Sequence, residues 1–466
     1  MGIINDWLYR IANEIASRVV DLQQVQPIIT ARAYRTGSHA PQLKVKAGQF
    51  DDNITLNFAG LVVSRIDSQM FGGGVKLDFE GEAETEQEKY VNAVLEANKH
   101  EILFHRAGLS ASEAGTGYIE IIPNGVIGKD GVVYPRIHLV DPAFVTMDTL
   151  PEDYEIVIRY TITYKFTGAN GKEHARKRVI EHQAPDETGQ GNTWTITDME
   201  MIAGGRWEVV DTIPWPFDFA PILHWQNLPS VASCYGEPDL NTSLIELNDR
   251  INFLASNISK VIRYYAHPFR IGRGVSADNM QVYDSGPDKM LLLSDPESGV
   301  DQLEALGDMA ASLTFLQSMR QAFFDTSRTV DIDSIGDKLG TLTNFGLRVL
   351  YADNLAMIAT HRELFGDMLE ELARRLQIIN NMQPVACESV WPDFLPVNDT
   401  EVQSALEGDL RMGVASKQTV STKRGYNWDD EQERIDAERA SDDNIGAALL
   451  RGFNGGAGGF GTQNGG

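Results

Sequence analysis

Basic residues, cysteines and long apolar runs are what this 466-residue chain has least of. Its 40 lysines and arginines face 66 aspartates and glutamates, a formal charge of −26. A tight grip on nucleic acid needs clustered Lys and Arg against phosphate, so that function class is disfavoured. A protein past which a polyanion slides is not excluded, because an acidic wall repels phosphate and prevents sticking. Cys234 and Cys387 are the only cysteines, far apart and in no metal-type pattern. They read as two buried free thiols in a reducing compartment. No stretch reaches the roughly 18 apolar residues that span a bilayer, so no membrane partner is expected. Asp6, Arg10, Glu14 and Arg18 do not suit a secretory signal, and Asp6 stands where a myristoylation signal after Gly2 wants Ser or Thr. The expectation is a soluble protein made in a cytoplasm.

Signatures of catalysis are missing as well. There is no G-x-S-x-G elbow, no H-E-x-x-H pair and no Walker lysine motif. Asp331-Ile332-Asp333-Ser334-Ile335-Gly336 starts like a calcium loop, but Ile335 sits where an oxygen ligand belongs and Leu342 replaces the closing glutamate. Gly72-Gly73-Gly74 and Gly272-Arg273-Gly274 lack the dinucleotide pattern and read as turns. The nine histidines are scattered, with no metal spacing. No catalytic residue, cofactor or metal is expected. One enzymatic alternative remains, a metal-dependent nuclease using Asp331, Asp333 and Asp337.

With 42% hydrophobic residues the chain can bury a large core in about two to four structural units. Helical patterning covers Met1 to about Val25, and a polar stretch with Pro41 and Gly48 follows. Asp52–Asp67 reads as a helix or mixed segment, and the acidic run Glu80–Glu88 leads into a helix through His105. Its apolar positions Val91, Val94, Leu95, Ile102 and Leu103 largely share a face. From Glu155 to Phe166 the sequence alternates with period two, and Asn170-Gly171 turns it into a strand at Lys172–His182. Two more short strands, Thr193–Thr197 and Trp207–Ile213, complete an antiparallel meander with one wet face. The basic cluster Lys172, His174, Arg176, Lys177 and Arg178 reads as a solvent-facing strand edge rather than a phosphate site.

Beyond Pro214–Pro221 the character turns helical. Leu240, Leu244, Leu247, Ile251, Leu254, Ile258 and Val261 follow an unbroken heptad, with Asn252, Ser256, Asn257, Ser259 and Lys260 on other faces. So narrow a seam suits a helix packed on neighbouring helices, including those of other subunits. Phe269–Ile271 and Met290–Leu293 read as strands of a compact insertion. A second helix carries Leu306, Ala310, Leu313, Leu316 and Phe323 on one side. A polar loop, Thr329–Thr343, then a long helix, Asn344–Asn380, come next. Ser416 caps one of two final helices, Gly425 ends it, and Asp429 or Asp430 caps the other. From Gly452 the glycine-rich tail has little to bury and reads as disordered.

This order of parts resembles the portal proteins of tailed phages. The run WPFDFAPILHWQNLPSVASCYGEPDL from Trp215, the exit Ala266-His267-Pro268, and SKQTVSTKRGYNWDDEQERIDAE from Ser416 are similar to family segments. So is Tyr34–Phe58, with its Tyr-Arg-Thr-Gly turn and Asn53-Ile54-x-x-Asn57-Phe58. The resemblance runs from about Tyr34 to Ala440 and implies an α+β subunit. Residues 1–238 and 344–398 would be the wing, 239–265 and 307–328 the two-helix stem, and 266–306 the small β-containing clip. Residues 329–343 would be the tunnel loop, 399–443 the helical crown, and 444–466 the disordered tail.

The resemblance further implies a ring of about twelve subunits at one capsid vertex. Double-stranded DNA would pass through it during packaging and ejection. The terminase motor, then a head-tail adaptor, would dock at the clip, and major capsid and scaffold proteins would be neighbours. The location would be the virion, with assembly in the host cytoplasm. Asp331, Asp333, Asp337, Lys338, Thr341 and Thr343 would face the channel from the tunnel loop, and Lys260 and Arg263 from the stem. Arg270, Arg273, Asp284, Asp288 and Lys289 would serve clip partners, while Leu240, Leu244, Leu247, Ile251, Leu254 and Ile258 would pack between subunits. Another virion component, an adaptor or minor capsid protein, is the further alternative.

Overall fold

The computed structural model describes residues 22–46, 50–81, 85–167, 173–183, 193–202, 205–266, 270–273, 299–302, 309–336, 343–395, 399–428 and 430–438. It is an α+β chain in two compact units, residues 1–340 with 348–394 and residues 341–347 with 395–466.

Helix α1 (Leu22–Arg35) extends well past the expected end near Val25. Pro27 lies inside it, yet Val25, Ile28, Ile29, Ala31, Ala33 and Tyr34 are all buried, and that burial outweighs the lost backbone bond. Gly37 ends it at φ 83°, a left-handed turn that glycine adopts without strain. Helix α2 (Phe58–Phe71) starts at Asn57, whose side chain accepts from the Gly60 N–H. The single helix expected up to His105 is two, α3 (Glu86–Ala97) and α4 (His100–Ala114). Lys99 takes φ 54° between them. Asn98 fixes that break: its amide nitrogen donates to the Val94 and Pro135 carbonyls and its oxygen accepts from Ile137 N–H. The shared face therefore fails across the break, with Val91, Val94 and Leu95 buried but Ile102 exposed at 55%.

Strand β1 (Lys76–Phe79) pairs antiparallel with β12 (Cys387–Val390). Strands β2 (Thr116–Ile127), β3 (Val133–Val140) and β9 (Ile222–Gln226) form an antiparallel sheet in the order β3-β2-β9. The expected meander is present and larger than expected: β4 (Val145–Thr149), β5 (Val157–Thr167), β6 (Glu173–Gln183), β7 (Thr193–Met201) and β8 (Trp207–Trp215) pair in sequence order. Strand β6 is therefore central, which corrects the strand-edge reading of the basic cluster. Arg176 pairs with Glu200 and Arg178 with Asp198 and Glu120, while the Lys177 ammonium lies over the Trp207 ring. The face expected to be wet is interrupted by Thr163, which is buried. Tyr118, Val140, Met147, Tyr160, Ile162, Ile180 and Trp194 form a core against this sheet.

Helix α5 (Thr242–Ala266) carries the heptad, and α6 (Met309–Thr326) packs against it. Between them, β10 (Arg270–Arg273) pairs antiparallel with β11 (Gly299–Gln302). The expected strand at Met290–Leu293 lies outside the described residues, and β11 was not expected. A short helix α7 (Ile332–Ile335) follows. The long helix expected from Asn344 to Asn380 is broken at Tyr351 into α8 (Asn344–Leu350) and α9 (Ala352–Ile379). Helix α9 supplies Ile358, Phe365, Leu369, Leu372 and Leu376 to a core shared with α2, α3, α4 and α5. In the second unit α10 (Asp399–Met412) and α11 (Lys417–Lys423) are followed by helical residues 430–438. Ser416 accepts from Thr419 N–H, and Gly425 takes φ 83°, as expected for cap and stop. Neither cysteine is in a disulfide; Cys234 is buried and Cys387 partly so. The glycine-rich tail lies outside the described residues.

Candidate functional site: the α5–α6 pair and the segment after it

The start of α5 is anchored by a buried ion pair. Asp239 Oδ1 lies 3.0 Å from His361 Nε2 on α9, and His361 Nδ1 is 2.7 Å from the Asn227 carbonyl. Burial by itself would raise the Asp239 carboxyl, but the His361 charge and hydrogen bonds from His361, Ser112 and Asn227 hold it below the usual carboxylate value. Burial would likewise lower the imidazole, and the Asp239 charge and hydrogen bond raise it instead. The pairing thus shifts each group toward its charged form.

Along α5 the polar residues do something the sequence did not disclose. Asn248, Asn252 and Ser256 recur every four residues, so they stand one above another on a single face. All three are buried, at 0%, 1% and 0% exposure. Their oxygens accept from the backbone N–H groups of Ala59 (2.9 Å), Leu56 (2.8 Å) and Ile54 (2.9 Å). The non-helical strip ending at Asn57, together with the first turn of α2, is thereby stitched along α5. His39 Nδ1 accepts from both asparagine amides, at 3.3 and 3.0 Å. Asp249 accepts from the Tyr34 hydroxyl and the Gln42 amide. Asn252 and Ser256, placed by the heptad on faces other than the apolar seam, look inward.

The heptad itself divides. Leu240, Leu244 and Ile251 lie in this chain's own core, and Leu247 packs partly against it. Leu247, Leu254 and Ile258 stay half-buried and Val261 is exposed, so the full stripe is not available to another subunit as expected. What α5 leaves exposed is Phe253, Val261 and Ile262, and α6 leaves Leu313 and Phe315, at 36–53%. The single subunit leaves these apolar groups uncovered on two helices that pack together.

Of the expected site residues, Lys260 is exposed. Arg263 instead forms a two-pronged pair with buried Asp52, at 2.8 and 2.6 Å, with its guanidinium also over the Phe50 ring. Arg270 and Arg273 lie on β10; Asp284, Asp288, Lys289, Asp337, Lys338 and Thr341 lie outside the described residues. Asp331 and Asp333 both accept from Arg320 on α6, at 2.7 and 2.5 Å. Arg65 donates to the Val330 carbonyl, and the Arg320 guanidinium stacks over Phe58 and Phe324. The segment entering α7 is thus clasped to α6 and α2. Thr343 accepts from the Gly346 N–H and starts α8.

This arrangement disfavours the nuclease alternative. The Arg320 guanidinium occupies two of the three carboxylates, Asp331 and Asp333, that would have to hold a divalent cation. Among the described residues no group of three or more His, Cys, Asp or Glu is placed to hold a metal ion. No helix among the described residues is long and apolar enough to cross a membrane.

Comparison with curated proteins finds no match. Among solved structures, the virion of a native gene transfer agent particle aligns with 86% of this chain and 99% of its own at 13% identity, TM-score 0.42. The neck of an empty gene transfer agent particle aligns over the same shares at 15% identity, TM-score 0.47. A family model described as phage portal protein, SPP1 Gp6-like, matches residues 23–444, nearly the whole chain. The chain therefore belongs to this family of phage portal proteins, which are structural components of virions rather than enzymes.

Proposed function

We propose that this protein closes into a ring of about twelve copies at one capsid vertex, forming the channel for DNA packaging and ejection. The observation that carries this reading is the α5–β10–β11–α6 unit. Two packed helices frame an antiparallel ribbon and expose apolar side chains that the single subunit leaves uncovered. In this reading residues 239–265 and 307–328 form the stem, 266–306 the clip, and residues 1–238 with 344–398 the wing. The tunnel loop is 329–343 and the crown 399–443. The terminase motor and later the head-tail adaptor dock on the clip through Arg270, Arg273, Asp284, Asp288 and Lys289. Major capsid and scaffold proteins meet the wing.

Subunit packing falls to Phe253, Val261 and Ile262 rather than to Leu240, Leu244 and Ile251. Asp331, Asp333, Asp337, Lys338, Thr341 and Thr343 form the loop facing DNA, with Lys260 the stem residue open to it. Arg263 would have to leave Asp52 to take part. A net acidic subunit, repeated around a ring, gives a lumen that repels phosphate and lets the duplex slide. Native mass spectrometry of the full chain tests the assembly. A mass near twelve or thirteen subunits is expected, and a compact dimer would overturn the reading.

A further inference from the structure

In a chain this acidic, residues 411–424 stand apart. They read RMGVASKQTVSTKR, with Arg411, Lys417, Lys423 and Arg424 and no aspartate or glutamate. Arg411 lies in the last turn of α10, Lys417 opens α11, Lys423 is in its last turn and Arg424 is its C-cap. Gly413 at φ 69° and the Val414 N–H to Asp409 carbonyl bond (3.0 Å) fold the two short helices together. All four cations are exposed, and among the described residues none has a carboxylate partner. By contrast, Arg32, Arg159, Arg178, Arg320 and Arg375 are each ion-paired. Between and just beyond the cations, Met412, Val414 and Tyr426 are exposed at 68%, 76% and 57%.

Helix dipoles account for three of the charges, because Arg411, Lys423 and Arg424 sit at helix C-termini, where cations are stabilising. They do not account for Lys417, which stands at the N-terminal end of α11, where a cation is disfavoured. A local rule broken with no local compensation points outside the subunit.

We propose that residues 411–424 are a contact surface for the phosphate backbone of double-stranded DNA. This rests on the portal reading only in naming that duplex as the one the channel carries. Long, exposed cationic side chains gathered in one short segment suit a polyanion of uniform charge, which offers about one phosphate charge per 1.7 Å of axis. An acidic peptide would need its carboxylates placed to match each of them. Glu407 and Asp409 precede the segment on α10, but the more distant acidic charges, beyond about 8 Å, are screened at physiological salt.

The test uses the full chain and a labelled duplex of mixed sequence, followed by fluorescence anisotropy across a salt series. With four phosphate contacts, the slope of log affinity against log salt should be about −3 to −4. Combining Arg411→Gln, Lys417→Gln, Lys423→Gln and Arg424→Gln should weaken binding about tenfold or more and flatten the slope. Unchanged affinity and slope would overturn the proposal. Because that variant could fail to fold, acetylation of Lys417 and Lys423 is followed in the unaltered protein with and without DNA. Protection by DNA is expected. Equal labelling, or protection already complete without DNA because a second copy covers the segment, would overturn it. Electron microscopy of the same samples separates the two readings. Rings that give no DNA protection sink only this contact, and protection without rings sinks only the ring.

Discussion

Replacing Asn252 with leucine would leave the Leu56 N–H without a partner against hydrocarbon, although a hydrophobic residue is entering a buried site. The loss is about 1–3 kcal/mol, the desolvation of an unsatisfied donor, read as a lower denaturant midpoint at unchanged m-value. A stability equal to wild type would mean that the stitching of residues 54–59 onto α5 contributes nothing. A second residue-scale expectation concerns His361. Its folded-state pKa lies above the ordinary 6.5, so its contribution is fully present below pH 6.5 and is lost as pH rises through the raised value. Asp239 is depressed below 3.8, so its contribution is present above that pH and is lost only as pH falls through the lowered value. The stability difference between wild type and His361→Gln should therefore be greatest between pH 3.8 and 6.5 and shrink on the alkaline side. Unfolding curves across pH check this, and a pH-independent difference would contradict it.

At the scale of elements, close approach is enforced by glycine where β2 meets β9. A Cβ at Gly117 would overlap the Trp225 ring across the strand pair. Gly117→Ala should cost about 1–3 kcal/mol by overpacking, measured as a fall in thermal midpoint. Several elements were readable in the sequence because their signal is local. Period-two alternation marked β5, and Ser416 and Gly425 marked the ends of α11. What was not readable depends on distant partners. Nothing near Asn98 announces that its amide will bind Pro135 and Ile137 and turn the chain between α3 and α4. Asn248, Asn252 and Ser256 share a helical face whether that face meets water or a backbone strip, so their spacing alone cannot say which. Arg263 was expected to face the channel, and the fold placed Asp52 beside it instead. Part of the candidate site, from Asp284 to Lys289 and from Asp337 to Thr341, stays an expectation from sequence.

At the scale of the whole molecule, the uncovered apolar groups on α5 and α6 should govern assembly rather than folding. Ile262→Glu with Phe315→Glu should leave the circular dichroism spectrum unchanged, since both side chains are more than half exposed in the single subunit. The same pair should shift the protein from ring to monomer in native mass spectra, because a buried unpaired charge in a repeated interface is penalised at every copy. The measurement that bears most directly on the portal assignment is electron microscopy of the full-length assembly. Closed rings with an open axial hole are expected, with density for α5 and α6 beside the hole. A compact particle with no opening along its axis would contradict the account.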